Sequence, residues 1–516
     1  MRIFESSQPD IVIEDCSITE FALQHADRLG DKAAFIDSID GQPMSYAALA
    51  SRIRRLAGGL KARGAGPGTT WALMAPNVPE YAVAFHGLAY AGATVTTLNP
   101  TYGAKEISHQ LRDSKATAII TSALFLETAR EAAQACGVEH VFVLGGGDAP
   151  ALSSLEGEPL AEQVAVDNAA HVVALPYSSG TTGFPKGVML THRNLVANLC
   201  QARPYFGLAE DDVCFAVLPF FHIYGMQVLM NMALGHGATV VTAPRFDLVK
   251  MLELVQEHRI TRLFLVPPIV LALAKHPIVD QYDLSSVRQI YSGAAPLPED
   301  IAAAAARRLD CSIGQGYGLT ETSPVLTTTD TENYRPGSVG TVVPNTRIRL
   351  VDPDTGDDAE PGARGELWAQ GPQVTGGYFG NSDATAATID ADGWIHTGDV
   401  AVADADGHFY IVDRLKELIK VNGFQVAPAE LEARLLQHGS IVDAAVIGVP
   451  DYDAGERPKA FVVLEPGATL GAKAVIDFAA EDLVSYKHLA EVEFVESIPK
   501  SASGKILRRE LRATTA

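Results

Sequence analysis

At 516 residues the chain is longer than a single hydrophobic core organises, so two or more domains are expected. Apolar residues at 47% and charged residues at 20% fit a soluble globular protein. The net charge of −22 argues against nucleic-acid binding, whose affinity comes largely from neutralising phosphates, and against a general attraction to anionic membrane. A phosphorylated ligand must then meet local positive charge at its own site. Cys16, Cys136, Cys200, Cys214 and Cys311 are scattered without a C-x-x-C pair, the pattern of reduced thiols rather than disulfides or a metal site. The N-terminus lacks a signal-peptide hydrophobic region, and the longest apolar run, 81–97, is interrupted by His86, Gly87 and Gly92. A cytoplasmic protein without a membrane span is expected.

In chain order, an amphipathic helix is predicted over 18–29, a strand over 33–36 and a helix over 45–64. Strands at 70–74, 93–96, 118–121 and 141–144 then alternate with helices, which implies parallel sheet with crossover helices. Residues 145–166, rich in Gly, Pro, Ser and Glu, read as a surface linker. Alternation resumes with strands at 214–218, 238–241 and 262–266. From about Gly337 the pattern turns to antiparallel strands, among them 346–351 and 365–369. After Val412 a helix at 428–437, strands at 444–449 and 460–464, a helix at 472–483 and a strand at 492–495 form a small α+β unit. The expected fold is α/β: a large N-terminal domain (1–412) of parallel α/β sheets plus a small β-barrel-like part, then a small mobile C-terminal domain (413–516).

The chemistry gathers in four stretches. The first is Ser178-Ser179-Gly180-Thr181-Thr182-Gly183-Phe184-Pro185-Lys186-Gly187, between strand-like runs at 172–175 and 188–190. Its glycines let backbone N–H groups converge, its hydroxyls add donors, and Lys186 adds a point charge, a concavity that suits phosphate oxygens. It is not a P-loop, since glycine rather than Ser or Thr follows the lysine. Alone, such a run is as readily a mobile surface loop. The second stretch is Gln315-Gly316-Tyr317-Gly318-Leu319-Thr320-Glu321, in which an aromatic between glycines can stack on a base while Glu321 reaches a hard cation. Alone, it is as readily a turn carrying a core tyrosine. The third, Trp394 to Asp399 followed by Asp413-Arg414, offers a carboxylate for ribose hydroxyls, or simply a turn residue. The fourth, Pro499-Lys500-Ser501-Ala502-Ser503-Gly504-Lys505, is either a basic tail or a lysine that neutralises charge developing in a cleft.

Together and in this order, the four stretches resemble the adenylate-forming superfamily of acyl-CoA synthetases, luciferases and adenylation domains. The chain is most similar to 4-coumarate:CoA ligases, from about Ile18 to Leu511. The resemblance implies an AMP-forming acid–CoA ligase. A carboxylic acid attacks Mg-ATP to give acyl-AMP and pyrophosphate, and coenzyme A then displaces AMP. It implies that Ser178, Ser179, Gly180, Thr181, Thr182 and Lys186 hold phosphates. Gln315, Gly316, Tyr317, Gly318 and Thr320 would line the nucleotide, Glu321 would hold Mg²⁺, and Asp399 and Arg414 the ribose. Lys505 would serve adenylation, Lys420 and Gln425 the thioester step, and Lys416 the hinge between them. The acid pocket implied by the family pattern comprises Ile223, Tyr224, Gln227, Phe264, Tyr291, Gly293, Ala294, Gly314, Gly316, Pro324, Val325 and Leu326, with His222 at its entrance. Gly314 and Gly316 would leave room for a flat ring sandwiched by Tyr291 and Phe264. Tyr291 stands where plant relatives often carry lysine. Arg245, Asn422 and Gly423 are the implied CoA contacts, Asn422 departing from the family's lysine. Medium-chain fatty acids, transfer to a carrier protein and a catalytically silent nucleotide binder remain as alternatives. Monomer and homodimer both stay open.

Overall fold

The computed structural model describes residues 2–178, 185–330, 334–422, 424–481, 483–501 and 504–515. Among these residues the first half builds two mostly parallel sheets. One runs in the order 190–191, 172–174, 94–97, 70–74, 116–122 and 140–144. The other is nine-stranded; its parallel centre (312–318, 289–292, 262–265, 213–216, 239–242, 33–37) is flanked by antiparallel edge strands. The helix Pro79–Tyr90 is buried at every position except Glu80, as a helix apolar on all sides must be. It belongs to a core cluster that also takes in strand residues of both sheets. A five-stranded antiparallel sheet, 4–5, 347–351, 365–370, 395–403 and 409–414, has a core of its own around Leu326, Ile348, Leu367 and Phe409. The last hundred residues form a separate sheet with its own core around Leu431, Leu435, Val446 and Val462. The expected α/β architecture is therefore present, with a curled antiparallel sheet between the parallel sheets and the small unit.

Three local expectations change. The helix over 18–29 is two helices, Ile18–Leu23 and Ala26–Leu29. The first starts on a capping box, Ser17 Oγ accepting from Glu20 N–H at 3.1 Å and Glu20 Oε2 from Ser17 N–H at 2.7 Å. The expected linker 145–166 is not free, because Leu152 and Leu155 are buried and its backbone lies on the helix Tyr46–Ala62. A Cβ at Gly59 would come 1.6 Å from Leu155 O, so the approach needs glycine. The stretches at 315–318 and 395–399 are strands rather than turns, within Ser312–Gly318 and Ile395–Ala403.

Candidate active site

The strands Tyr177–Ser178 and Lys186–Gly187 pair antiparallel, with Lys186 opposite Ser178. Ser179, Gly180, Thr181, Thr182, Gly183 and Phe184, the tip of the expected phosphate loop, lie outside the described residues. The base of the loop is tied to the second motif. Ser178 Oγ donates to Glu321 Oε1 at 2.8 Å, and the Tyr378 hydroxyl donates to the same oxygen at 2.9 Å. Lys186 Nζ stands 4.8 Å from the centroid of the Tyr378 ring, a cation–π contact. Glu321, in the turn Thr320–Thr322, is thus a buried carboxylate that shares Tyr378 with Lys186. No group of three or more His, Cys, Asp or Glu among the described residues is arranged to hold a metal. A single carboxylate does suit Mg²⁺, which binds through one or two carboxylates together with substrate phosphates. Tyr378 went unnoticed in the sequence. Its only local signal is the pair Gly376-Gly377 before it, with Gly377 at φ +132°.

Along the strand Ser312–Gly318, a Cβ at Gly318 would sit 1.7 Å from Pro324 O, so the neighbouring chain dictates the glycine. Gln315 is buried and its Oε1 accepts from Leu297 N–H at 3.2 Å. Tyr317 donates through its hydroxyl to Asp399 Oδ2 at 2.8 Å. Asp399 lies opposite Arg414 across the strands Ile395–Ala403 and Phe409–Arg414, and Arg414 Nε is 3.1 Å from its Oδ1. Burial pushes the Asp399 carboxyl up against the opposing pull of Arg414.

Lys505 comes to the same place from the C-terminal unit. Ser501 N–H donates to Lys505 O and Gly504 N–H to Ser501 O, both at 2.8 Å, with Gly504 at φ +81°. This closes a tight turn where a tail was an alternative; Ala502 and Ser503 lie outside the described residues. A Cβ at Gly504 would come 3.2 Å from Val266 Cγ2, so the turn rests on the large unit. Arg508 holds it from behind through both Glu432 oxygens, at 2.7 and 2.8 Å. Burial and then Arg414 lower the Lys505 ammonium to about 8, with Asp399 pulling the other way. Burial and then Lys505 lower His222 to about 4. Tyr224 N–H donates to His222 Nδ1 at 3.3 Å, which leaves the proton of the neutral ring on Nε2. His222, Asp399, Arg414 and Lys505 therefore share one electrostatic neighbourhood.

Lys420 and Gln425 face each other across the hairpin of Ile419–Val421 and Phe424–Val426, away from this cluster. Lys420 is exposed and borders, with Lys416, Gly455 and Glu456, a surface hollow. Asn422 takes φ +51°, a conformation asparagine tolerates well, and its N–H donates to Ala454 O at 2.8 Å. Gly423 lies outside the described residues. Arg245 is exposed in the loop after the strand Thr239–Thr242, and among the described residues no hydrogen bond or ion pair joins it to the groups above.

The expected acid pocket is partly rearranged. Phe264 and Tyr291 do not flank an open slot but stack on one another, centroids 5.9 Å apart and planes 19° apart, so no third ring fits between them. Gly314 makes room for Tyr291 rather than for a ligand, since a Cβ there would be 2.8 Å from the Tyr291 ring. Gly293 does the same for Tyr224, at 2.9 Å. At Gly316 a Cβ would meet Thr327 O at 3.3 Å and Thr328, which belong to the adjacent strand, and no ring leans over it. Gln227 is wholly buried; its Nε2 donates to Leu195 O and Ser323 O, and its Oε1 accepts from Asn231 Nδ2. It fastens helices to the Ser323 turn and lines no accessible space. Leu326 is likewise wholly buried, in the core of the antiparallel sheet. Ile223 and Val325 are nearly buried, Pro324 is half-buried, and Ala294 is exposed at φ +69°.

The arrangement thus joins a phosphate-type hairpin, a buried carboxylate, a strand-held Asp–Arg pair and a lysine delivered by a second unit. A family model described as AMP-binding enzyme matches residues 23–379, and one described as AMP-binding enzyme C-terminal domain matches residues 430–505. The chain is 42% identical to 4-coumarate--CoA ligase 5 of Oryza sativa subsp. japonica, covering 100% of this chain and 97% of that protein. It is also 42% identical, with the same coverage, to 4-coumarate--CoA ligase 1 of Petroselinum crispum. Among solved structures, the anthranilate CoA ligase AuaEII in complex with anthranoyl-AMP superposes with a TM-score of 0.90 at 26% identity, covering 98% of each chain. ATP-bound MatB from Rhodopseudomonas palustris superposes with a TM-score of 0.87 at 30% identity, covering 97% of this chain and 99% of that one.

Proposed function

Because the chain belongs to the AMP-binding enzyme family, we propose that it is an ATP-dependent carboxylic acid:CoA ligase of the 4-coumarate type. The acid's carboxylate oxygen attacks the α-phosphorus of ATP, forming the acyl–phosphate bond and expelling pyrophosphate. The thiol sulfur of coenzyme A then attacks the acyl carbon, AMP leaves, and the thiol proton passes to solvent. Ser178 and Lys186, with the loop between them, hold the departing phosphates. Glu321 holds Mg²⁺, which neutralises phosphate charge when bound. Asp399 and Arg414 orient the ribose, and Gln315, Gly316, Tyr317, Gly318 and Thr320 line the nucleotide. The full-length likeness to 4-coumarate ligases supports a hydroxycinnamate-like acid, and the aromatic wall of Tyr224, Phe264 and Tyr291 is compatible with a ring laid along it.

The observation that carries this reading is the convergence of Lys505 on Asp399, Arg414 and His222 while Lys420 stands apart on the surface. Each lysine serves one half-reaction, and the C-terminal unit (413–516) turns about Lys416 to exchange them. Removing a preorganised charge-stabilising group costs about 10²–10³-fold. Lys505→Ala should lose that much acid-dependent ATP–pyrophosphate exchange yet still make thioester from synthetic acyl-AMP, and Lys420→Ala should show the reverse split. Equal loss of both half-reactions in both variants would contradict the assignment.

A further inference from the structure

The parallel strands beneath the acid pocket carry a three-row pattern on one face. Arg262, Gln289 and Ser312 are paired in register across the strands Arg262–Leu265, Gln289–Ser292 and Ser312–Gly318, as are Phe264, Tyr291 and Gly314. Residues two apart point to the same face about 7 Å on along a strand. Gly293 and Gly316 follow in the next row, toward the nucleotide motif. The sheet face therefore runs from a glycine row covered at Gly293 by Tyr224, through an aromatic row, to a polar row at the strands' N-terminal ends.

Phe206 closes this face. It is the last residue of the helix His192–Phe206 and is 4% exposed. Its ring meets Tyr291 edge-on at 4.6 Å and Phe264 at 5.7 Å. Phe206 also borders a half-open hollow of about 400 Å³ that Arg262, Gln289, Ser312 and Asp330 line. Arg262 is held there by Asp212, Nε to Oδ2 at 3.0 Å, and by Phe206 O. Tyr291 is pinned by its hydroxyl, which donates to Thr329 O at 2.7 Å, so it does not swing clear.

We propose that Phe206 is a specificity-determining residue: with Tyr291 and Phe264 it forms the plug that ends the acid pocket and separates it from the polar cavity behind. The proposal rests on the ligase reading and extends it. Acids whose tails stop at the aromatic row are accepted. Longer ones are stopped by the three rings together, and removing the Phe206 ring gives Phe264, which has no polar tether, room to tilt away from the pinned Tyr291 and open a path to the polar space behind.

The test is acid-dependent ATP–pyrophosphate exchange over a ladder of cinnamate, octanoate, decanoate, dodecanoate and dodecanedioate, in the wild type, Phe206→Ala and Phe206→Leu. One methylene is worth roughly tenfold or more in discrimination by an apolar pocket. In Phe206→Ala the dodecanoate-to-cinnamate ratio of kcat/KM should accordingly rise at least about tenfold, with KM for ATP within about twofold of wild type. Phe206→Leu should move the ratio the same way by less, and it carries the test if the alanine variant melts early. Dodecanedioate should gain less than dodecanoate, because its far carboxylate meets Asp330 in the lining of the hollow while Arg262 is already paired with Asp212. An unchanged ladder in variants that still bind ATP, or a proportional loss for every acid, overturns the proposal while leaving the ligase reading intact. Absence of any acid-dependent exchange in the wild type would overturn that reading first.

Discussion

Lys505 shows how a single residue takes its property from elements far apart in sequence. Burial in the cleft and the Arg414 guanidinium hold its ammonium at about 8, well below the ordinary lysine value of 10.5. The cation is then present below about pH 8 and lost above it. If the charged form assists phosphoryl displacement, kcat/KM for ATP should fall above that pH, by about tenfold per unit once the group is neutral. Lys505→Arg keeps its charge throughout, so its residual exchange should be flat across the same range. A wild-type profile that stays level to pH 10, or one that falls identically in the arginine variant, would remove Lys505 from this role. Asp399 sits at the other end of the same field. Its carboxyl is pushed up by burial and held against that by Arg414 and Tyr317, so the pair senses what the lysine turn brings in.

At the scale of elements, the proposed hinge lies in the junction after the strand Phe409–Arg414. Leu415 N–H donates to Gly398 O at 2.8 Å and Glu417 N–H to Arg414 O at 2.9 Å, while Lys416 between them is exposed. Asp413 Oδ2 accepts from Ala429 N–H at 3.0 Å, at the start of the helix Pro428–Leu436, and Glu417 is ion-paired with Arg512 of the C-terminal helix Arg508–Thr515. On the reading proposed above, a change of pose about Lys416 breaks the two bonds that cross it, Ala429 to Asp413 and Glu417 to Arg414, while Leu415 stays fastened to Gly398 and Glu417 to Arg512. Lys416→Pro fixes φ there and should leave ATP–pyrophosphate exchange near wild type while slowing overall thioester formation by about tenfold or more. Stopped-flow comparison of the two steps checks this. Thioester formation that keeps pace with adenylation in the variant would place the hinge elsewhere or remove the need for one.

For the whole molecule, the sequence was legible wherever a signal was local. Alternating apolar runs at 70–74, 93–96 and 118–121 announced a parallel sheet, and the strand Thr70–Met74 lies where the pattern placed it. Ser312–Gly318 was as readily a turn because its Gly318 answers to the approaching Pro324 O, which composition cannot reveal, and Ile395–Ala403 because Gly398 sits within it at φ +71°. The sandwich of Phe264 and Tyr291 failed for a related reason. Adjacent parallel strands in register bring the two rings together, and register is settled by the whole sheet. Tyr378 on Glu321 and Phe206 on Tyr291 are contacts across 57 and 85 positions, invisible to any local pattern. What unites these parts is one cleft served by a second unit, and its chemistry is best tested by AMP release from ATP and 4-coumarate with and without coenzyme A. Pyrophosphate is expected without CoA, and steady AMP release only when CoA is present. Pyrophosphate release with AMP turnover indifferent to CoA would contradict it and point to a carrier protein as the acyl acceptor.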